Sequence, residues 1–241
     1  MPLKFWHQLF LIKRMIKEFI SLIFPELCLA CDEALYNKEE FICTACNFNL
    51  PKTNYHFMKQ NEVSKLFWGR VKIETASSYY YFNKGNKVQN LIHHLKYKGQ
   101  TELGRHLGKQ YGKDLKESVF YHDLDIIIPI PLHKSKLKRR GFNQSDFFAQ
   151  GLSESMSIEW SSDALKRIIA TESQTKKSRF NRWQNVDSIF EIKDPEKLTG
   201  KHILLVDDVV TTGSTLESAA QSLLAIDNTR VSIASLACAL K

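Results

Sequence analysis

The run Leu204-Leu205-Val206-Asp207-Asp208-Val209-Val210-Thr211-Thr212-Gly213-Ser214-Thr215 constrains this chain more than any other stretch. His202 to Val206 is short, apolar and rich in branched residues, the pattern of a buried parallel strand. Two adjacent carboxylates close it, and acids at the end of a buried strand are costly without partners. A hydroxyl-rich loop follows, and Leu216 to Ile226 then has helical spacing. Strand, small-residue loop and helix start together present hydroxyls, free backbone N–H groups and the positive end of a helix dipole, which is an anion site. Open α/β sheets bind ligands at that end of their strands. One phosphate in the loop, with two acids behind it to accept hydrogen bonds from ribose hydroxyls, suits a sugar phosphate. The bland alternative is an ordinary strand, turn and helix with a solvated acidic pair.

The chain from residue 73 onward supplies a setting for this run. Ile73 to Phe82 reads as a strand, Val88 to Tyr97 and Glu102 to Leu115 as helices, and Asp125 to Pro131 as a second buried strand ended by prolines. A helix capped by Asn143 runs on through Leu152, and Leu165 to Ile169 is a short strand. Such alternation predicts a parallel α/β sheet. Between the second strand and the helix after it, Lys134 to Arg140 places five basic residues in seven positions. As a loop at a strand's carboxyl end, this run either is merely solvated or meets a polyanion such as pyrophosphate. The placement favours the second. The polar, basic stretch Thr171 to Gln184 has the makeup of a loop that folds over a bound phosphate ligand. His93, His94 and His106 fall on helices, where lone histidines are more often surface or satisfied core groups than ligands.

The first 72 residues are different. Phe5, Leu9, Ile12, Ile16, Phe19, Ile20 and Ile23 recur near helical spacing between Lys13, Arg14 and Lys17, so residues 1–25 read as an amphipathic helix. Its apolar run is too short to span a bilayer and its charges interrupt any signal-peptide core. It is expected to pack against the rest of the chain, with a membrane surface as the alternative. Within residues 26–50, Cys28-x-x-Cys31 and Cys43-x-x-Cys46 form two knuckles, the usual spacing of a structural four-cysteine zinc site. Four of the five cysteines in such pairs argue for a metal in a reducing cytosol rather than for disulfides. Cys238, in an apolar run, reads as a buried strand residue. Residues 51–72 form an irregular connection whose Tyr55, Phe57, Phe67 and Trp68 predict packing. A net charge of +8 favours anionic partners without choosing among phosphate, nucleic acid and membrane.

The run 204–215 resembles the 5-phosphoribosyl 1-diphosphate (PRPP) motif of type I phosphoribosyltransferases. The whole layout resembles the ComF family of competence-associated proteins. That resemblance rests on Phe24-Pro25 with the four cysteines, Leu95-Lys96-Tyr97-Lys98-Gly99, and Pro129-Ile130-Pro131-Leu132 through Arg139-Arg140-Gly141-Phe142-Asn143-Gln144. Gln174-Thr175, Arg182 and Asn185-Val186 extend it. It implies a type I phosphoribosyltransferase domain over residues 73–241 behind a zinc finger, and a role in DNA uptake or natural transformation. It further implies that Asp207 and Asp208 hold the ribose hydroxyls of PRPP, that Thr211, Thr212, Gly213, Ser214 and Thr215 grip its 5′-phosphate, and that Lys134, Arg139, Arg140 and Arg182 meet the pyrophosphate. Mg²⁺ is expected with PRPP and structural Zn²⁺ on the cysteines. Single-stranded DNA and other transformation proteins are the expected macromolecular partners. Three readings follow: a transferase with an unknown acceptor, a DNA-binding factor that keeps the site as a ligand switch, and an adaptor.

Overall fold

The computed structural model describes residues 24–36, 38–168 and 189–239. The expected amphipathic helix, the loop Thr171 to Gln184 and Arg182 therefore lie outside the described residues, save for residues 24 and 25. The chain divides into two compact units at Leu50 and Pro51.

In the first unit, two tight turns bring the cysteine pairs together. The Cys28 N–H donates to the Glu33 carbonyl, that of Asp32 to the Cys28 carbonyl, and that of Leu29 to the Phe41 carbonyl. Asp32 and Phe41 take the left-handed conformation that such turns require. Helix α1 (Thr44–Asn49) begins at Cys43.

The second unit is a parallel sheet with helices on it. Its elements in chain order are β1 (Ala76–Tyr81), α3 (Lys87–Tyr97), α4 (Thr101–Lys116), β2 (Ile126–Pro129), α5 (Lys134–Arg140), α6 (Gln144–Met156), β3 (Glu159–Trp160), β4 (Leu165–Arg167), β5 (Phe190–Ile192), β6 (His202–Val210), α7 (Ser214–Leu224) and β7 (Arg230–Cys238), with the short helix α2 (Glu62–Lys65) ahead of β1. Strand order in the five-stranded sheet is β1-β7-β6-β2-β3, and β4 and β5 form a separate antiparallel pair. All four pairings of the large sheet are parallel. From the centre, β2 crosses to β3 through α6 in one direction, and β6 crosses to β7 through α7 in the other. Right-handed crossovers that diverge in this way put their helices on opposite faces, and the seam between β2 and β6 is the switch point.

The two faces pack differently. On one, Leu216, Ala219, Ala220 and Leu223 of α7 join Ile126, Ile128, Ile203, Leu205 and Ile233 of the sheet. Residues 51–72 pack in part as their aromatic content predicts: Tyr55, Val63 and Phe67 belong to that same core, whereas Phe57 and Trp68 are exposed. On the other, Tyr79 of β1 stacks on Tyr111 of α4, which in turn lies beside Phe148 of α6. Helices α4 and α6 cross at glycine. A Cβ added at Gly108 would sit on the Phe148 carbonyl oxygen and 3.0 Å from the Gly151 Cα. Such a close crossing admits only hydrogen at those positions.

Three sequence expectations change here. The basic run 134–140 is a helix rather than a loop. None of its residues is buried, so it has no apolar stripe to announce it. The acids do not end their strand: β6 runs on to Val210, because Asp207, Val209 and Val210 still pair with β7. Asn143 stands at the start of α6 but does not cap it. Its amide instead donates to the Ile130 carbonyl and to Asp146 at 2.5 Å, tying the helix to the end of β2.

Candidate functional site

The pairing of β2 with β6 ends at Pro129 and Val206, and the Ile130 N–H then donates to the Val206 carbonyl. Beyond that point β2 leaves for α5, while β6 continues alone along β7. Asp207 and Asp208 therefore lie where one edge of β6 is uncovered, in the crevice a switch point creates.

Asp208 is only 5% exposed, and its Oδ2 has two partners. Lys96, in the last turn of α3, places its Nζ 3.0 Å from Asp208 Oδ2. The same oxygen accepts from the Gln144 side-chain amide at the N-terminus of α6. The amide oxygen of Gln144 in turn accepts from Arg140, whose guanidinium lies 5.5 Å from the centre of the Tyr97 ring. Arg140, Gln144, Asp208 and Lys96 thus form one hydrogen-bonded chain with a cation at each end. It joins the 95–99, 139–144 and 207–208 segments, far apart in sequence.

Asp207 is half-buried. Its Oδ1 accepts from the Asp208 N–H at 2.8 Å and from Ser145 Oγ at 3.2 Å. Burial, together with the neighbouring Asp208 charge, pushes its carboxyl up to about 7. The N-terminal turn of α6, carrying Gln144 and Ser145, faces both acids with the positive end of its dipole.

The loop that follows is exposed at Thr211, Thr212 and Ser214 and buried at Gly213. Helix α7 starts at Gly213 with no side chain capping it, so no side chain satisfies its first N–H donors there. Thr212 and Ser214 share a hydrogen bond between hydroxyls at 2.9 Å. Gly213 has φ +75, and a Cβ there would meet the Phe67 ring at 3.2 Å. Its glycine is thus required by the turn and by Phe67 behind it. Arg70 braces the loop from the same side, donating to the Thr212 and Leu66 carbonyls and pairing with Glu217 of α7.

Of the residues expected on the pyrophosphate side, Arg140 joins the Asp208 chain. Lys134 and Arg139 are exposed on α5 and make no recorded contact with the two acids. Local sequence pattern assigns no site role to Lys96, Gln144, Ser145 or Arg70, and predicts only packing for Phe67. Lys96 and Gln144 sat inside motifs read only as family markers, and Arg70 lies in the irregular connection.

In the first unit, the Sγ atoms of Cys28, Cys31, Cys43 and Cys46 all lie within 4.8 Å of one another. Cys31 and Cys43 Sγ are 3.8 Å apart. A tetrahedral zinc with Zn–S bonds of about 2.3 Å needs sulfur–sulfur edges of roughly 3.8 Å. Backbone N–H groups already point at the sulfurs: Cys43 N lies 3.3 Å from Cys28 Sγ, and Cys46 N lies 3.4 Å from Cys43 Sγ. Burial opposes a Cys28 thiolate, but donation from the Cys43, Ala30 and Cys31 N–H groups brings its thiol down to about 7. The donor set fits a structural metal such as zinc.

Residues 143–240 match the phosphoribosyl transferase domain. Over 202 residues the chain is 33% identical to the DNA utilization protein YhgH of Shigella flexneri, covering 82% of this chain and 84% of that protein. It is 27% identical over 220 residues to the competence protein ComFC of Bacillus subtilis, covering 91% and 82% respectively. Among solved structures, the glutamine PRPP amidotransferase of B. subtilis aligns with a TM-score of 0.39 at 18% identity, covering 58% of this chain and 30% of that one. No helix among the described residues is long and apolar enough to cross a membrane. With its type I phosphoribosyltransferase fold and a four-cysteine metal-binding cluster ahead of it, the chain belongs to the ComF family, whose members include the DNA utilization protein YhgH and the competence protein ComFC.

Proposed function

We propose that the second unit, in a protein associated with DNA uptake, binds PRPP and transfers its phosphoribosyl group, with release of pyrophosphate, to an acceptor that is unknown. The observation that carries this reading is the run Asp207 to Thr215: two carboxylates at the uncovered edge of β6, then a hydroxyl loop opening an uncapped helix of 11 residues. Asp207 and Asp208 accept hydrogen bonds from the ribose hydroxyls. Thr211, Thr212, Ser214 and Thr215, with the N–H groups that follow Gly213, hold the 5′-phosphate. Lys134, Arg139 and Arg140 are the cations assigned to the departing pyrophosphate, with Arg182 assigned to the same task.

As the bond from C1 to the diphosphate breaks, positive charge develops on the ribose ring and negative charge on the leaving group. The two carboxylates sit where the first is stabilised, and the basic residues after β2 sit where the second is. Asp207 and Asp208 are hard oxygen donors that would hold Mg²⁺ brought in with PRPP, and the ion would supply charge neutralisation for the diphosphate. Positioning and charge carry the catalysis, and the chain needs no covalent nucleophile for it.

The test is phosphorus NMR of PRPP mixed with the protein, Mg²⁺ and a small-molecule cell extract. Pyrophosphate formed above the protein-free control, and lost in Asp208→Asn, supports the reaction. PRPP signals that broaden without pyrophosphate refute catalysis and leave a ligand-binding site.

A second reading has its own observation. Lys134, Lys136, Lys138 and Arg139 are exposed along α5 and form no ion pair among the described residues. Such an exposed cluster of cations around a short helix suits a single-stranded polyanion, which fits relatives named for competence and DNA utilization. Single-strand affinity that falls steeply with salt, and more shallowly once these four cations are replaced, supports it. Absence of binding at low salt removes it.

A further inference from the structure

The end of helix α3 carries two aromatic rings that its own packing does not use. Val88, Leu91, Ile92 and Leu95 form its buried face. His93 and Tyr97, four residues apart and so neighbours on the helix surface, stand off that face and are exposed. Their ring centres are 5.2 Å apart, and Tyr97 keeps 63% of its surface open. The Arg140 guanidinium, at the last residue of α5, lies 5.5 Å from the centre of the Tyr97 ring. Arg140 is itself held by its bond to Gln144, so the ring stands against a cation fixed in place. Lys98 and Arg139, next in sequence to Tyr97 and Arg140, are also exposed. A ring so open contributes little to the core, and it offers a planar partner an apolar, polarisable surface.

We propose that Tyr97 is a base-stacking platform for single-stranded DNA, from which the strand's phosphates run on to the exposed cations of α5. This rests on the single-strand reading above and adds what α5 lacks. Helix α5 offers charge, which meets the phosphates of any polyanion, but it has no aromatic residue. A single strand differs from a duplex in leaving its base faces open, and aromatic rings set beside cations engage those faces without reading sequence. The contact of Tyr97 with Arg140 joins the two parts. Because Arg140 ends α5, a base lying on Tyr97 brings its own phosphates to Arg139 and to the lysines before it. Tyrosine suits the task, since it presents a large flat surface with only two side-chain torsions to fix. The charges also choose a strand over a free base. A free base is neutral and would leave Lys98, Arg139 and the cations of α5 without partners. Duplex DNA, whose bases stack on one another, would meet the cations alone.

The test compares two strands that differ only in their bases. Labelled oligo(dT) and a fully abasic oligonucleotide of the same length and charge are titrated with the wild-type protein and with Tyr97→Leu and Tyr97→Phe, at several salt concentrations, and binding is read by fluorescence anisotropy. The wild type is expected to bind oligo(dT) more tightly than the abasic strand. In Tyr97→Leu the affinity for oligo(dT) should fall roughly fivefold to 150-fold, the loss of one stacked base. The abasic strand should bind Tyr97→Leu as it binds wild type, and the salt slope should stay the same, because no cation has been removed. Tyr97→Phe keeps the ring and should match wild type on both strands, which also controls for folding. Equal losses for both strands in Tyr97→Leu would overturn the proposal, since the ring would then only hold Arg140 in place. An unchanged affinity of Tyr97→Leu for oligo(dT) would overturn it too, as would a wild type that does not distinguish the two strands. Displacement of oligo(dT) by an equal concentration of free thymine or adenine would make the ring a free-base site and overturn it as well. A wild-type protein that binds neither strand at low salt overturns the single-strand reading itself, a result distinct from the others.

Discussion

Gly151→Ala links the packing of the second unit to its site. Gly151 is in the middle of α6, and a methyl there would overlap the Arg105 carbonyl oxygen of α4 and lie 2.8 Å from the Lys109 nitrogen. Both groups are backbone, so no side chain can swing aside. Helix propensity alone favours alanine by about 0.8–1.0 kcal/mol. Overpacking a tight core costs about 1–3 kcal/mol, and a clash with backbone on both sides belongs at the top of that range. The net loss is about 2 kcal/mol, which for a unit of this size lowers the melting temperature by roughly 4–8 °C. The alternative to unfolding is for α6 to move away from α4. Its first residues, Gln144 and Ser145, hold Asp208 and Asp207, so that movement loosens both acids. Thermal denaturation with and without PRPP reads both effects: a lower melting point, and a smaller upward shift on adding ligand. A variant as stable as wild type, or more stable by the propensity difference, would refute the close crossing and the coupling drawn from it.

Two further outcomes follow from the same structure. Below about pH 4, Asp207 is protonated both in the fold and in the unfolded chain, where its carboxyl titrates near 3.8. Because the folded value is raised to about 7, the favourable contribution of the protonated form is lost as pH rises from 4 to 7, by at most about 1.4 kcal/mol per pH unit. The stability difference between wild type and Asp207→Asn should therefore shift against wild type across that window in denaturant titrations, and a pH-independent difference would contradict it. Strong chelation should unfold residues 26–50, because so small a module draws its stability from the metal. One zinc per chain by elemental analysis, absent in Cys43→Ser, is the expected result, and substoichiometric metal in the freshly purified protein would count against it.

Much of this was legible in the sequence for physical reasons. Strand β6 and its acids announce themselves because an apolar branched run must be buried and carboxylates beside it must be partnered. The cysteine knuckles are legible because two tight turns bring four thiolates together without help from distant residues. What stayed hidden depends on contacts across the chain. Lys96 and Asp208 meet only once α3 and β6 are packed, and no local pattern in the 95–99 segment declares an ion pair. Arg70 and Phe67 support the phosphate loop from a stretch with no period. Helix α5 carries no apolar stripe because none of its residues is buried. The apolar run alone ends β6 too early, because the acids interrupt it while the backbone pairing with β7 continues.

The central claim is that Asp208 belongs to a PRPP site. Its most direct test is an equilibrium titration of PRPP, with Mg²⁺, into the wild-type protein and into Asp208→Asn, with folding of the variant checked by circular dichroism. Removing one charged acceptor is worth about 1.5–3 kcal/mol, so affinity should fall roughly tenfold to 150-fold. A folded Asp208→Asn variant that binds PRPP as tightly as wild type would contradict the account.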